Sequence, residues 1–553
     1  MEVPSPPRFP LRALTLLVLA APLLGGCSGK KEDKARPLSF SPLAYFPSST
    51  RLLAGMPSPS ALAAATGPRI PKGLEKAFLD QAGPFGFGPL DEGIFRAAWT
   101  AWKLLEKRGA APETAWLGSE LSGKDPLDGC ILVLDFKEGR GKGFLPALEE
   151  IFSGKKDSPG EWSLARPGKG GKDACLLRKG KSEIRLRVSP LGEAVVLVFG
   201  RKGVLDRVRA ARSGKGPSLR GAAWAARVKE SVAEGWPSWA LAPGAPGKGV
   251  FPSLLARAGL PLPETLFERW APGEGENLLE AAYGEDSGYP WALGRLSVDP
   301  DAFASLLPAD TEAFLLGAWD TAWVKEKLVP ILNKYGGEIG WLNDLLNQVE
   351  SILGLWKGEG CIPCEMVSKK MLSFGIALRP SGGEKKPDVL VAFGVPLGEE
   401  SWFSGWLERG YRTQVFPGKA WWGKTDYLIY ERKKEPAMAG TTGKGRLFLA
   451  SSRKRLIGWL EAAEGRTARL SDTGAFKALR LSFRDPADLF LFVSPKSPGG
   501  PFRLLPGFSK DFGALGVGPF GGGIFLRKGK IRFLSRWPLS PWNLALRAGL
   551  LGR

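Results

Sequence analysis

A chain of 553 residues with 44% hydrophobic content is long enough for two or three domains with real cores, and its composition is not that of a disordered protein. Its 77 Lys and Arg against 56 Asp and Glu leave a net charge of +21, which favours anionic partners and surfaces. Histidine is absent, which excludes Ser-His-Asp triads, Cys-His dyads and His-ligated zinc or haem, and with them the usual proton carrier near neutral pH.

At the N-terminus, Arg8 and Arg12 accompany an apolar run from Ala13 to Leu24. The run is too short for an ordinary spanning helix and has the proportions of a signal peptide. The small pair Gly25-Gly26 before Cys27 resembles the lipobox of bacterial lipoproteins. The resemblance implies removal of residues 1–26, a lipid on Cys27 and a place in the cell envelope. Ser28, where an Asp would favour the inner membrane, implies the outer membrane, facing periplasm or exterior. An ordinary cleaved secretory signal with an incidental Cys27 is the plainer alternative. No other apolar run approaches the length of a span, so the mature chain reads as a soluble body held by a lipid. In that compartment the anionic partners are lipid headgroups, lipopolysaccharide or acidic polymers, and not nucleic acid. A solvated basic surface with no partner is the alternative.

Residues 27–39 are polar, highly charged and without apolar periodicity, and read as a flexible tether. The folded body starts near Phe40 and contains an internal repetition. Phe46-Pro47-Ser48-Ser49-Thr50 resembles Leu307-Pro308-Ala309-Asp310-Thr311, and Pro167-Gly168-Lys169 recurs as Pro417-Gly418-Lys419. An apolar strand, Arg201-Lys202 and a helical stretch recur as Leu447–Ala450, Arg453-Lys454 and a helical stretch. Pro237 and Pro486 each precede an apolar run. The four matches keep one order and nearly one spacing, which predicts two tandem similar units, 40–304 and 305–553, the second with a C-terminal hairpin.

Helical spacing is present in Ile94, Phe95, Ala98, Trp99, Trp102 and Leu105, and again from Ile339 to Leu353. Strands are predicted at Ile131–Leu134, Val195–Val198, Val389–Ala392 and Leu489–Phe492. Ile184, Leu186 and Val188 alternate with Arg185 and Arg187 as a half-buried strand does. Arg178-Lys179-Gly180-Lys181 and Arg527-Lys528-Gly529-Lys530 read as hairpin turns. Helices and hairpins that cluster separately predict an α+β class, each unit an antiparallel sheet with packed helices. The arrangement resembles a family of bacterial envelope proteins of uncharacterised role whose repeats open with Leu-Pro-Ala-Asp-Thr-like residues. That resemblance implies a fold and carries no activity. Ser48-Ser49 departs from its Ala-Asp.

Three short patterns bear on chemistry. Gly418–Thr425 fits the P-loop G-x-x-x-x-G-K-T, but the residues from Asp426 to Tyr430 that follow read as a strand where phosphate binding needs a helix N-terminus. Ser451-Ser452-Arg453-Lys454 fits the S-x-x-K of penicillin-recognising enzymes without its companion motifs, and a helix N-cap is the simpler reading. Cys361-Ile362-Pro363-Cys364 fits C-x-x-C outside a thioredoxin-like context. With Cys27 set aside, Cys130, Cys175, Cys361 and Cys364 are candidates for two disulfides of open connectivity. Trp421 and Trp422 fall on a predicted hairpin and could stack a sugar or enter a membrane surface. The sequence thus points to a lipid-anchored, non-catalytic binding or structural module with no cofactor and no metal. The alternatives are a periplasmic carrier or chaperone for a lipid or apolar chain, and thiol–disulfide exchange through Cys361 and Cys364.

Overall fold

The computed structural model describes residues 41–57, 112–121, 129–136, 144, 146, 162–165, 175–178, 186–191, 194–199, 203–244, 263–269, 276–283, 298–319, 372–379, 388–394, 400–423, 427–433, 438–483, 487–494, 520–527 and 529–536. The helical stripes at 94–105 and 339–353 lie outside them, as do Cys27, Cys361, Cys364, Ile184 and Pro167-Gly168-Lys169. Two compact units are present, Met1–Gly284 with Pro538–Arg553, and Glu285–Trp537.

The first unit contains β1 (Leu52–Met56), β2 (Thr114–Ser119), β3 (Cys130–Asp135), β4 (Trp162–Ala165), β5 (Cys175–Arg178), β6 (Leu186–Leu191), β7 (Ala194–Phe199), β8 (Ser238–Leu241), β9 (Thr265–Arg269) and β10 (Glu276–Ala282). Helices α1 (Val204–Arg212) and α2 (Ala223–Ala233) separate β7 from β8. The sheet order is β6-β7-β3-β2-β1-β8-β9-β10, every neighbour antiparallel, and β4 pairs with β5 as a separate ribbon.

The second unit contains α3 (Pro300–Ala304), β11 (Ala313–Trp319), β12 (Leu372–Arg379), β13 (Asp388–Gly394), α4 (Glu400–Arg412), β14 (Gly418–Trp422), β15 (Tyr427–Arg432), β16 (Met438–Gly443), β17 (Arg446–Ala450), α5 (Arg453–Ala463), α6 (Gly474–Ser482), β18 (Leu489–Val493), β19 (Phe520–Arg527) and β20 (Lys530–Arg536). Its order is β14-β15-β16-β17-β13-β12-β11-β18-β19-β20, again antiparallel throughout. From β16 to β20 this is the order of the first unit strand for strand, with α5 and α6 standing where α1 and α2 stand.

The short motif shared by the two units makes the same turn in each. Thr50 N–H donates to the Pro47 carbonyl and Thr311 N–H to that of Pro308, both at 3.0 Å. Pro47 bridges Ser218 and Pro308 bridges Arg469. The carbonyls of Phe46 and Leu307, both fully buried, accept from Leu219 and Leu470 in the 3-10 turn between the two helices. Proline suits this place because the turn does not use its missing donor. The departure at Ser49 also has a partner. Asp310 pairs with Arg379 at the end of β12 at 2.7 Å, whereas Ser49 donates to Glu120 just past β2 at 2.5 Å, and Glu120 in turn pairs with Arg207. An Asp at 49 would face that carboxylate with like charge.

The expected α+β class is corrected by these ladders: the described residues form twenty strands against six α-helices of 5–13 residues, and over those residues the fold is mainly antiparallel β. The apolar runs that read as isolated strands are the central strands of the sheets. β1, β2 and β3 are buried at every position, so no polar alternation marks their extent in the sequence. In the second unit, both faces of the sheet are covered at β13, β15 and β17. Tyr427, Ile429, Phe448, Ala450, Leu390 and Ala392 enter the larger core with α3, α5 and α6. Their alternates Leu428, Tyr430, Leu447, Leu449 and Val391 pack under Phe403, Trp406 and Leu407 of α4. Phe314 sits in the larger core among Phe303, Phe476, Phe490 and Phe492, with ring centroids 5.5–6.0 Å away. Phe303 belongs to α3, so residues 300–304, which the repeat reading ended the first unit with, pack in the second.

Candidate functional site

Helix α4 turns Phe403, Trp406 and Leu407 toward the sheet, the i, i+3, i+4 pattern of an amphipathic helix. Gly410 lies against the Phe416 ring, which meets Trp406 edge-on at 5.7 Å. This packing leaves Glu408 at the helix margin, facing β14 and β15. Its Oε2 accepts from Lys419 Nζ at 2.6 Å and from the Tyr430 hydroxyl at 2.8 Å, and its Oε1 is 3.6 Å from Arg412. Lys419 lies 5.1 and 5.4 Å from the ring centres of Tyr411 and Tyr430. The hydrogen bond from Lys419, then that from Tyr430, holds the Glu408 carboxyl below its ordinary range. Burial, together with the Glu408 hydrogen bond and charge, pushes the Tyr430 hydroxyl well above its own. Gly405, Glu408, Arg409 and Arg412 line an open cleft of about 400 Å³.

A second Tyr–Glu–Lys set occupies the opposite face of the same strands. Glu464 accepts from the Tyr427 hydroxyl at 2.7 Å and lies 3.0 Å from Lys444 Nζ. Those two hydrogen bonds, the tyrosine's first, hold its carboxyl low. Lys444 also donates to the Ala463 carbonyl at the end of α5. Both carboxylates are thus held by local donors, and at the α4 cleft two guanidiniums, Arg409 and Arg412, stand beside the single carboxylate of Glu408 among the described lining residues.

Sequence reasoning met Lys419 only inside the repeated Pro417-Gly418-Lys419 and the P-loop pattern and Tyr430 only as the end of a strand, and it gave Glu408 and Glu464 no role. Glu408, Lys419 and Tyr430 are 11 and 22 positions apart, and only the pairing of β14 with β15 and the seat of α4 bring them together. The P-loop pattern falls otherwise. Gly418–Trp422 is β14 itself, ending at Gly423 with φ +79°, and β15 begins at Tyr427, so a hairpin stands where a phosphate loop needs a strand–helix turn. Lys424, Thr425 and Asp426 are outside the described residues. Ser452 caps α5, accepting from Arg455 N–H at 3.3 Å, and Ser451 accepts from the Arg455 guanidinium at 2.8 Å. Cys130 is buried at the head of β3 and Cys175 opens β5. Of the two tryptophans, Trp421 is 59% exposed, while Trp422 packs on Tyr427 and under the Arg466 guanidinium, 4.6 Å from its ring centre.

Among the described residues there is no group of three or more Cys, Asp or Glu placed to hold a metal, and no helix long and apolar enough to cross a membrane. Comparison of the chain with protein-family models, curated proteins and solved structures finds no match.

Proposed function

We propose that the protein is a lipid-anchored, non-catalytic module of the bacterial cell envelope that binds an anionic partner. The observation that carries the reading is the α4 cleft. Among its described lining residues Glu408 is the one carboxylate against Arg409 and Arg412, with Lys419 beside it, so the net charge of the cleft is positive. An open, shallow, positively charged cleft suits a flat or extended anionic surface better than an enclosed small substrate. The net charge of +21 gives the same sign to the whole chain. The lipobox at Cys27 and the resemblance to envelope proteins supply the location.

The test is binding of the mature chain, made from residue 27 with C27S, to immobilised dextran sulfate and to neutral dextran across a salt series. The expected result is salt-sensitive retention on the anionic matrix alone, weakened about 25-fold by the R409Q/R412Q pair, at about 1 kcal/mol for each cation near an anionic surface. Equal retention on both matrices, or a pair variant that binds as the parent does, would sink the reading.

A further inference from the structure

We infer that the β14 edge of the second unit docks on an anionic lipid bilayer. The inference rests on the anchored-module reading above and names its partner surface. Among the described residues, strand β14 is the last strand of its sheet and pairs on one side with β15. Successive side chains of an edge strand point to opposite faces. Trp421 therefore stands with Lys419 on the α4 face, and Trp422 stands on the α5 face beneath Arg466. Arg453, at the first turn of α5, reaches the Trp421 carbonyl at 3.4 Å. Arg412, at the end of α4, is exposed and lies 3.6 Å from Glu408, the partner of Lys419.

The edge thus presents one large exposed indole flanked on both faces by cationic side chains. Core packing does not account for Trp421, whose ring stays in water while its neighbour is covered. Indoles settle at the headgroup level of a bilayer, where the ring is partly dry and its N–H stays wet, and guanidiniums pair with lipid phosphates. The sign of the local charge agrees. Over residues 400–466 the sequence has 13 Lys and Arg against 7 Asp and Glu, an excess of six. Of the carboxylates beside the edge, Glu408 is shared by Lys419, Tyr430 and Arg412, Glu464 is held by Tyr427 and Lys444, and Glu431 stands opposite Gly418 on β15, so the cations of this region still outnumber them. A lipid on Cys27 would keep the body at the membrane, so a weak docking contact is sufficient there.

The chain from residue 27 with C27S, which lacks any lipid of its own, is mixed with phosphatidylglycerol vesicles and with phosphatidylcholine vesicles, and binding is followed by co-sedimentation. The expected result is binding to the anionic vesicles only. Trp421→Ala lowers the partition coefficient about tenfold, the worth of roughly 55 Å² of apolar surface taken out of water. Arg453→Gln lowers it about fivefold. Leu481→Ala, which removes another exposed apolar side chain on α6, leaves it unchanged. Vesicle binding that survives Trp421→Ala, or that Leu481→Ala weakens equally, overturns the inference. Retention on dextran sulfate without vesicle binding overturns it as well, and leaves the anionic-partner reading standing. Failure on both anionic surfaces removes that reading too.

Discussion

Replacing Leu460 with aspartate tests the core on which the second unit depends. Leu460 is 1% exposed on α5, in one cluster with Leu456, Trp459, Ala463, Tyr427, Ile429 and Phe448. Truncating a leucine at such a site costs about 3–5 kcal/mol through lost burial and the cavity left behind. A buried carboxyl adds roughly 1–3 kcal/mol of desolvation even when it takes up a proton to avoid carrying charge. The total, about 4–8 kcal/mol, is comparable to the whole stability of a marginal domain. The sign with pH follows from linkage. Burial raises the folded-state pKa of the new aspartate above its unfolded value near 3.9, so its penalty is smallest below that value and grows as pH rises. Leu460→Asn has no such dependence, and the two variants converge below pH about 4. Hydrogen exchange of peptides covering Arg446–Ala450 and Arg453–Ala463 reads the loss locally. Leu481→Asp, at a site 66% exposed, stays within about 0.5 kcal/mol of the parent. If Leu460→Asp kept the parent's protection in both peptides, α5 would not pack on the sheet as described.

Two further outcomes follow from the geometry. Gly375 on β12 lies so close to the Phe303 ring that a β-carbon would overlap it, so Gly375→Ala must displace a fully buried phenylalanine and lowers the stability of the second unit by about 1–3 kcal/mol, read as a shift in denaturation midpoint. Glu408 and Glu464 have carboxyls held below the ordinary value of 4.5, so their ion pairs contribute fully above that pH and the contribution is lost as pH falls through the folded-state values. Acid titration of E408Q/E464Q should therefore show a shallower loss of stability below pH 4.5 than the parent, and equal slopes would contradict the assigned partners.

What the sequence made legible was local. The four apolar runs at Ile131, Val195, Val389 and Leu489 lie within β3, β7, β13 and β18, because a continuous β-branched or aromatic run between turn residues has few other places to go. β19 and β20 pair in the register Arg527↔Lys530, and Gly529 between them supplies the positive φ of 74°. Val204, Leu205 and Val208 form the buried stripe of α1. On α5, Leu456 and Leu460 do the same while Ile457 is only partly covered and Trp459 takes the inward place. Long-range pairing was not legible. Nothing adjacent in the chain shows that β1 pairs with both β2 and β8, 62 residues and 186 residues from the start of one strand to the start of the next, or that β11 joins β18. The polar sets around Glu408 and Glu464 were hidden for the same reason. Each depends on strand register and on a helix laid across it, and neither leaves a spacing in the sequence.

The anchor is the claim from which location, tether and bilayer contact all descend, and the mass of the N-terminal peptide tests it most directly. Protein recovered from the membrane fraction of an expressing bacterium is digested and its N-terminal peptide weighed. The account predicts a peptide that begins at Cys27 and carries an acylated glyceryl group, and no such peptide from the Cys27→Ser variant, which stays as precursor. A mature N-terminus at any other residue, or an unmodified Cys27, would contradict it.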